Sequence, residues 1–250
     1  MDRTYWDKKS KTYNTEIFDV NKNDKTRIIE ACINEVASPK KTVADFGCAI
    51  GKWLPLLSPK FKSVLAVDYS LPLLQEAEKR YKALTNVQYK NIDLMRDMKE
   101  AYAFDVVLCV NAILTDVYAK RAIFFNNLAK SIKKNGHLIL VIPSLESALY
   151  SEFMIDDCNR KRDLSSSKKI KSTSAKTDNS RLHLGIVALD KVPHKHYLKE
   201  ELIITLGSYG FKTEKVEKVE YTWRTEIANA PKSLPAPYPW DWVVVAKKVR

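Results

Sequence analysis

Val43-Ala44-Asp45-Phe46-Gly47-Cys48-Ala49-Ile50-Gly51-Lys52-Trp53 is the stretch whose reading decides the fold. A short apolar strand runs into a carboxylate, then into a turn of small residues, then into a helix start. Past Gly51 a second strand, Val64-Leu65-Ala66-Val67, ends on another carboxylate, Asp68. Turns made of glycine and other small residues let backbone approach a ligand closely, because no bulky side chain intervenes. A carboxylate closing the next strand is placed to accept hydrogen bonds from ribose hydroxyls. Together these features predict a nucleoside-binding βαβ unit.

Two ligands compete for such a unit. A dinucleotide site uses Gly-x-Gly-x-x-Gly, with the pyrophosphate resting on the helix N-terminus. Here the small residues fall at Gly47, Ala49 and Gly51, and Asp45 stands beside the turn. That carboxylate repels a pyrophosphate and suits a cofactor carrying an ammonium group. The pattern resembles the first motif, Asp-x-Gly-x-Gly-x-Gly, of the class I S-adenosylmethionine (SAM)-dependent methyltransferase family, and departs from it at Ala49.

The downstream order extends the resemblance. Tyr69 stands where the family commonly places a flat residue against adenine. Val87-Gln88-Tyr89-Lys90-Asn91-Ile92-Asp93-Leu94 reads as a third strand ending in Asp93, which matches the family position that bonds the adenine amino group, with the Leu94 backbone beside it. Phe104-Asp105-Val106-Val107-Leu108-Cys109-Val110 is a buried strand whose exit at Asn111 matches the fourth motif. Gly136-His137-Leu138-Ile139-Leu140-Val141-Ile142-Pro143 reads as the fifth strand. The resemblance covers residues 40–145 closely and 196–250 in outline. It implies SAM as cofactor, in contact with Asp45, Gly47, Cys48, Ala49, Gly51, Asp68, Tyr69, Asp93, Leu94 and Asn111. Blander readings stand beside these. Asp105 fits a solvated strand start, Asp93 and Asp97 fit turn or capping positions, and Cys48 fills space in the loop.

At 250 residues the chain is long enough for one α/β domain with a sizeable core. No apolar signal segment opens it, and no run of about eighteen apolar residues is present to span a bilayer. Cys32, Cys48, Cys109 and Cys158 are scattered in a way that fits neither a disulfide framework nor a zinc site. A reduced, cytoplasmic protein without a bound metal is the expectation. The net charge of +12 is concentrated: between Cys158 and Leu182 eight basic residues face two acidic ones. That stretch is also rich in serine and poor in apolar residues, so residues 163–180 are expected to form a mobile basic loop. Such a loop is either a solvated insertion or an attractor of nucleic acid.

Residues 1–20 carry Tyr5, Trp6, Tyr13 and Phe18. They resemble the N-terminal segment that small-molecule methyltransferases fold over the cofactor; packing on the outside of the core is the alternative. A helix is predicted over 24–38, with Ile28, Ile29, Cys32, Ile33 and Val36 at helical spacing and Asp24 as cap. Strands at 43–46, 64–67, 87–90, 105–110 and 137–142 then alternate with helices from about 51, at 71–83 and at 118–133. This rhythm predicts a parallel sheet covered on both faces. A helix over 145–160, capped by Ser144 with Leu145, Ala148, Leu149 and Phe153 along one face, opens a substrate-cap insertion spanning 144–196. A strand over 182–190 and a helix over 198–208 follow. The two final strands, joined without a helix, are able to lie antiparallel. The expected fold is therefore an α/β Rossmann-like seven-stranded sheet with helices on both faces, its last strand antiparallel.

Methyl transfer needs an acceptor lone pair held in line with the methyl–sulfur bond, so positioning alone contributes roughly 7–11 kcal/mol. Aromatic faces stabilise a sulfonium by about 0.5–2 kcal/mol; Tyr13 and Trp53 are the candidates. His194 and His196 are the candidate general bases, because histidine titrates near neutral pH; exposed loop histidines are the bland alternative. Asn111-Ala112-Ile113-Leu114 stands where amino-group methylators of DNA carry Asn-Pro-Pro-Tyr. The expected activity is methylation of a small molecule. An RNA methylator using the basic insertion, a SAM-binding protein without turnover and a nicotinamide-dependent oxidoreductase are the alternatives.

Overall fold

The computed structural model describes residues 3–98, 102–163, 171–172, 180–189, 192–228, 230–232 and 234–250. Seven strands build one sheet: β1 (Thr42–Phe46), β2 (Ser63–Asp68), β3 (Val87–Asn91), β4 (Phe104–Val110), β5 (Ile132–Pro143), β9 (Phe211–Glu220) and β11 (Trp240–Lys248). Their order is β3-β2-β1-β4-β5-β11-β9. The first five are parallel, and β11 lies antiparallel between β5 and β9. Chain order reverses between β1 and β4, and the carboxyl ends of strands at such a reversal open a crevice. The crevice is where the site lies.

Alternation along each strand feeds two apolar layers. In β1, Val43 points to one layer while Ala44 and Phe46 point to the other. The first layer is closed by α4 (Ile28–Val36) and α5 (Leu54–Leu57), which bury Ile29, Ile33, Leu54 and Leu57 against Val64, Leu108, Val141 and Val243. The second is closed by α7 (Tyr118–Lys130) and α9 (Lys199–Ser208), which bury Phe124, Leu128, Leu202 and Leu206 against Val107, Leu140 and Val244. Each such side chain contributes about 1.5–3 kcal/mol of burial. A further helix, α6 (Leu71–Arg80), follows β2 and turns Leu73, Leu74 and Ala77 inward.

Several boundaries depart from the sequence reading, each for a local reason. The helix expected from 51 is a turn followed by the four-residue α5, because Pro55 and Pro59 break the segment into an α turn and a 3-10 turn. The helix expected over 118–133 ends at Lys130, and β5 begins at Ile132 instead of 137. Asp105 is no solvated strand start. It accepts hydrogen bonds from the Thr42 amide (2.9 Å) and from Lys133 Nζ (2.9 Å), tying β4 to β1 and to the start of β5. Asp24 caps from outside a helix that begins only at Ile28, its Oδ2 accepting from the Ile29 amide at 3.1 Å.

The N-terminal residues fold into three short helices, α1 (Arg3–Lys9), α2 (Tyr13–Glu16) and α3 (Val20–Asn23). The helix after β5, α8 (Leu145–Asp163), is capped as expected by Ser144 Oγ, which accepts from the Ser147 amide at 3.0 Å. Its buried side differs from the expectation. Leu149 and Phe153 are exposed, while Tyr150, Met154, Ile155 and Cys158 pack on Trp223 and Ile227. Beyond it, β6 (Lys171–Ser172) pairs with β10 (Ile227–Ala228), and β7 (Ile186–Leu189) pairs with β8 (Val192–Lys195) as a hairpin. The strand predicted over 182–190 starts late because Leu182–Leu184 form a 3-10 turn ending on Gly185, which adopts φ +70°. The mobility expected for 163–180 falls on residues 164–170 and 173–179, which lie outside the described residues. No helix among the described residues is long and apolar enough to cross a membrane.

Candidate functional site: a cavity at the carboxyl edge of the sheet

A cavity of about 560 Å³ lies over the carboxyl ends of the strands, within the roughly 300–1,000 Å³ range of small-molecule sites. Its floor begins with the turn after β1. The Gly47 and Cys48 amides donate to the Val67 carbonyl (2.8 and 3.0 Å), which fastens the turn to the end of β2. Gly47 has φ +79°, and a Cβ built on it stands 2.4 Å from the Ala112 Cβ. Only glycine fits that position. Ala49 also sits in the left-handed region, at φ +47°, a conformation that costs an alanine roughly 1–2 kcal/mol. Its methyl packs with Ile50 and Leu73 under Trp6 and Tyr13.

Asp68 closes the far side of this turn. Its Oδ2 accepts from the Ala49 amide at 2.9 Å and its Oδ1 from the Ser70 amide at 2.8 Å. A carboxylate offers about four lone-pair positions, and the Tyr69 amide also bonds this one, so about one remains for a ligand. Burial raises its pKa to about 6, with the backbone amides pulling the other way. Beside it Tyr69, Asp93 and Leu94 line the wall. Asp93 Oδ1 accepts from the Met95 amide at 3.0 Å, the turn role that the sequence also permitted. Cys48 and Trp53 line the floor and are buried.

Two of the proposed cofactor residues stand apart from the cavity surface. Asp45 lies under the loop, 1% exposed, with Oδ2 lacking a hydrogen-bond partner among the described residues. Burial, reinforced by the Asp68 charge, raises its pKa to about 8. Gly51 faces α6: a Cβ there meets Leu54 Cδ1 at 2.7 Å and Ala77 Cβ at 3.1 Å. Its glycine serves the turn, at φ +78°, and helix packing.

The N-terminal helices form one wall. Tyr5, Trp6, Tyr13 and Phe18 all line the cavity. Ser70 Oγ donates to Asp7 Oδ1 at 2.6 Å and Lys52 Nζ pairs with Asp19 at 2.6 Å, fastening α1 and the residue before α3 to the floor. Burial next to Asp68 pushes the Tyr13 hydroxyl pKa well up, so it stays a neutral phenol. The β7–β8 hairpin forms the opposite wall and brings in His194 and His196. The Lys195 amide donates to the Leu114 carbonyl (3.0 Å) and the His196 amide to the Gly185 carbonyl (2.7 Å), so both histidines are held on backbone fixed to the β4 exit. Their Nδ1 atoms face the Val192 and His194 carbonyls, at 2.8 and 3.3 Å.

Sequence reasoning assigned Asn111 to the cofactor and missed its partners at the inner end, Tyr221 and Asp241. Asn111, at φ +48°, donates from Nδ2 to Asp241 Oδ2 at 2.8 Å, and the Tyr221 hydroxyl donates to the same oxygen at 2.7 Å. Asp241 opens β11 and pairs with Pro143; Tyr221 follows β9. Because β11 is antiparallel, its first residues meet the last residues of β5 and β9 at the same edge. The one signal in the sequence was an aspartate at the mouth of an apolar strand, Trp240-Asp241-Trp242-Val243. Thr225 and Glu226 complete that end.

Comparison with known proteins agrees with this arrangement. Residues 43–136 match a family model described as a methyltransferase domain. The N-methyltransferase NodS from Bradyrhizobium japonicum, solved with S-adenosylhomocysteine, superposes with a TM-score of 0.62 at 11% identity, covering 99% of this chain and 98% of NodS. A SAM-dependent methyltransferase from Mesorhizobium loti gives 0.63 at 16% identity, covering 92% of this chain and all of that one. Carboxy-S-adenosyl-L-methionine synthase from Helicobacter pylori is 23% identical over 112 residues, 43% of this chain and 46% of that protein. The chain thus spans under half the length of the curated relatives it matches. Residues 43–136 therefore carry a methyltransferase domain, and the chain has the fold of the SAM-dependent methyltransferases it superposes on.

Proposed function

We propose that this chain transfers a methyl group from SAM to a small-molecule acceptor. The carrying observation is the recessed cavity in which the left-handed Gly47–Ala49 turn and Asp68 share one end. The residues fit the cofactor: Asp68 keeps a lone-pair position for a ribose hydroxyl, Asp93 and Tyr69 border the region an adenine takes, and the orphaned oxygen of Asp45 lies beneath the loop with a hydrogen-bonding position unfilled. When bound, SAM supplies an electrophilic methyl group on a sulfonium. The chain's own work is binding, orientation and exclusion of water. Trp6, Tyr13, Phe18 and Trp53 supply apolar faces, and residues 1–20 serve as a cap over the floor. Across the cavity His194 and His196 stand on the insertion 144–196 and line the wall that an acceptor meets.

NodS was crystallised with S-adenosylhomocysteine, which supports the same cofactor here. The relatives from H. pylori are named for a carboxylated SAM. Asp68 and Asp241 line this cavity with no cationic side chain in ion-pair distance among the described residues, and they disfavour a product with an added carboxylate. Titration calorimetry with SAM, S-adenosylhomocysteine and NAD tests the reading. Micromolar binding of the first two and none of NAD is expected; the reverse order overturns it.

A further inference from the structure

We infer that the acceptor is an amine, recognised as its ammonium form by Asp241 at the end of the cavity remote from Asp68. This rests on the reading that the Asp68 end holds SAM. Asp68 closes β2 and Asp241 opens β11, four strand spacings apart in the sheet. At about 4.8 Å per spacing the two strands stand on the order of 19 Å apart, and the 2.8 Å bond to Asn111 at the β4 exit brings the Asp241 carboxylate back toward the middle of that span. One cavity reaches both.

The charges along that cavity are not equivalent. Asp19 is neutralised by Lys52, Glu16 by Lys9, and Asp93 lies between Arg96 (3.3 Å) and Arg3 (4.0 Å). Asp68 and Asp241 have no cationic side chain within ion-pair distance among the described residues. The two hydrogen bonds to Asp241 come from neutral donors and both reach Oδ2. Oδ1 is left for a ligand, and the Asn111 Oδ1 beside it is buried without a hydrogen-bond partner. Burial holds the Asp241 carboxyl above the usual carboxylate range, against the pull of Asn111 and Tyr221. A cation docked there restores the missing counter-charge and gives Asn111 Oδ1 a donor. Tyr221 and Phe18 meet edge to face at 4.8 Å on the same wall, adding aromatic surface of the kind that attracts ammonium groups.

An ammonium cannot be methylated until it loses a proton. Asp241 accepts that proton. The freed nitrogen lone pair then forms the C–N bond as the methyl's bond to sulfur breaks, with that electron pair staying on sulfur. An anionic acceptor meets Asp241 and Glu226 with like charge and gains none of this.

Matched probes test the inference: tyramine against 4-hydroxyphenylacetate, histamine against imidazole-4-acetate, putrescine against succinate. Binding to the complex with S-adenosylhomocysteine is read by calorimetry, and turnover with SAM by release of S-adenosylhomocysteine. At least one amine is expected to bind and react at least tenfold better than its carboxylate partner. Asp241→Asn should cut both at least tenfold while SAM affinity stays within threefold. Failure of the wild-type protein to bind SAM overturns the underlying reading. SAM binding with no amine preferred overturns the amine assignment alone. A tenfold loss of SAM affinity in Asp241→Asn places that carboxylate on the cofactor and overturns the assignment too. The wild-type selectivity needs no variant, so a poorly folded Asp241→Asn leaves the test decisive.

Discussion

The two ends of the cavity are built in opposite ways. At the Asp68 end, every lining residue from Gly47 to Leu94 comes from one stretch of chain, and backbone amides hold the turn and the carboxylate. At the Asp241 end, Asn111, the His194–His196 pair, Tyr221 and Asp241 come from four separate segments, and the Asn111, Tyr221 and Asp241 side chains hold one another. The first end is rigid because its geometry is local and covalently short. The second exists only after β11 has inserted between β5 and β9. A cofactor common to a family suits the first construction. An acceptor that differs from protein to protein suits the second, where single side chains change without disturbing the turn.

The largest effect expected from breaking this asymmetry is at Gly47. Gly47→Ala forces a methyl to within 2.4 Å of the Ala112 Cβ at φ +79°. The left-handed backbone and the overpacking together cost roughly 2–5 kcal/mol. At about 2–4 °C per kcal/mol for a chain of this size, the melting temperature should fall by roughly 4–20 °C, with SAM binding lost alongside. Gly207→Ala is the control, because nothing lies within 4 Å of a Cβ there.

Next comes Asp45, whose pKa is raised to about 8 by burial. The folded state holds this proton more tightly than the unfolded chain, where an aspartate titrates near 3.9. Its contribution to stability is therefore full at low pH and lost as pH rises toward 8. Asp45→Asn removes the dependence. The variant's unfolding free energy minus that of the wild type, read by denaturant titration, should climb between pH 5 and 8 by up to about 1.4 kcal/mol per pH unit, then level off. Taking the difference cancels His137, whose pKa burial lowers and whose trend runs the other way. A flat difference would place a hydrogen-bond partner or a cation on Asp45.

How much was legible follows the same division. The five parallel strands, the antiparallel last strand and the placement of Asp68 were all readable from 43–246, because apolar runs ending in polar residues fix strand ends locally. The floor of the site followed from that. The role of Gly51 was read as part of the loop, whereas its neighbours Leu54 and Ala77 make it a packing residue; that contact depends on where α6 docks. Leu149 and Phe153 looked like the buried face of α8, but Trp223 and Ile227 draw Tyr150 and Met154 inward instead. No periodicity within α8 reports a partner seventy residues away. The Asp241 network was invisible for the same reason.

At the cofactor end, Asp68→Ala removes acceptors for charge-assisted hydrogen bonds worth about 1.5–3 kcal/mol each. SAM affinity should drop at least tenfold in a variant that stays folded. Wild-type affinity should also weaken below pH 6, where the Asp68 carboxyl takes up a proton and loses acceptor capacity. Calorimetry from pH 5 to 8 reads both. Unchanged affinity in Asp68→Ala would move the ribose elsewhere.

The smallest effect is expected in the basic stretch, and its smallness is informative. If RNA were the acceptor, Lys168, Lys169 and Lys171 would contact phosphates, and log–log salt slopes would carry roughly −0.7 per contact on single strands. Their joint replacement by alanine would then reduce the slope by about two units and depress turnover. A cavity that ends in Asp241 and Glu226 presents carboxylates, not lysines, to whatever is methylated. The triple variant should accordingly keep turnover on a small amine within about threefold, while changes at Tyr221 or His194 reduce it more. Salt-sensitive RNA binding that collapses in the triple variant, together with RNA methylation, would make the acceptor end extend beyond the cavity onto the surface. That outcome would reverse the comparison, leaving the cofactor end as the only compact half of the site.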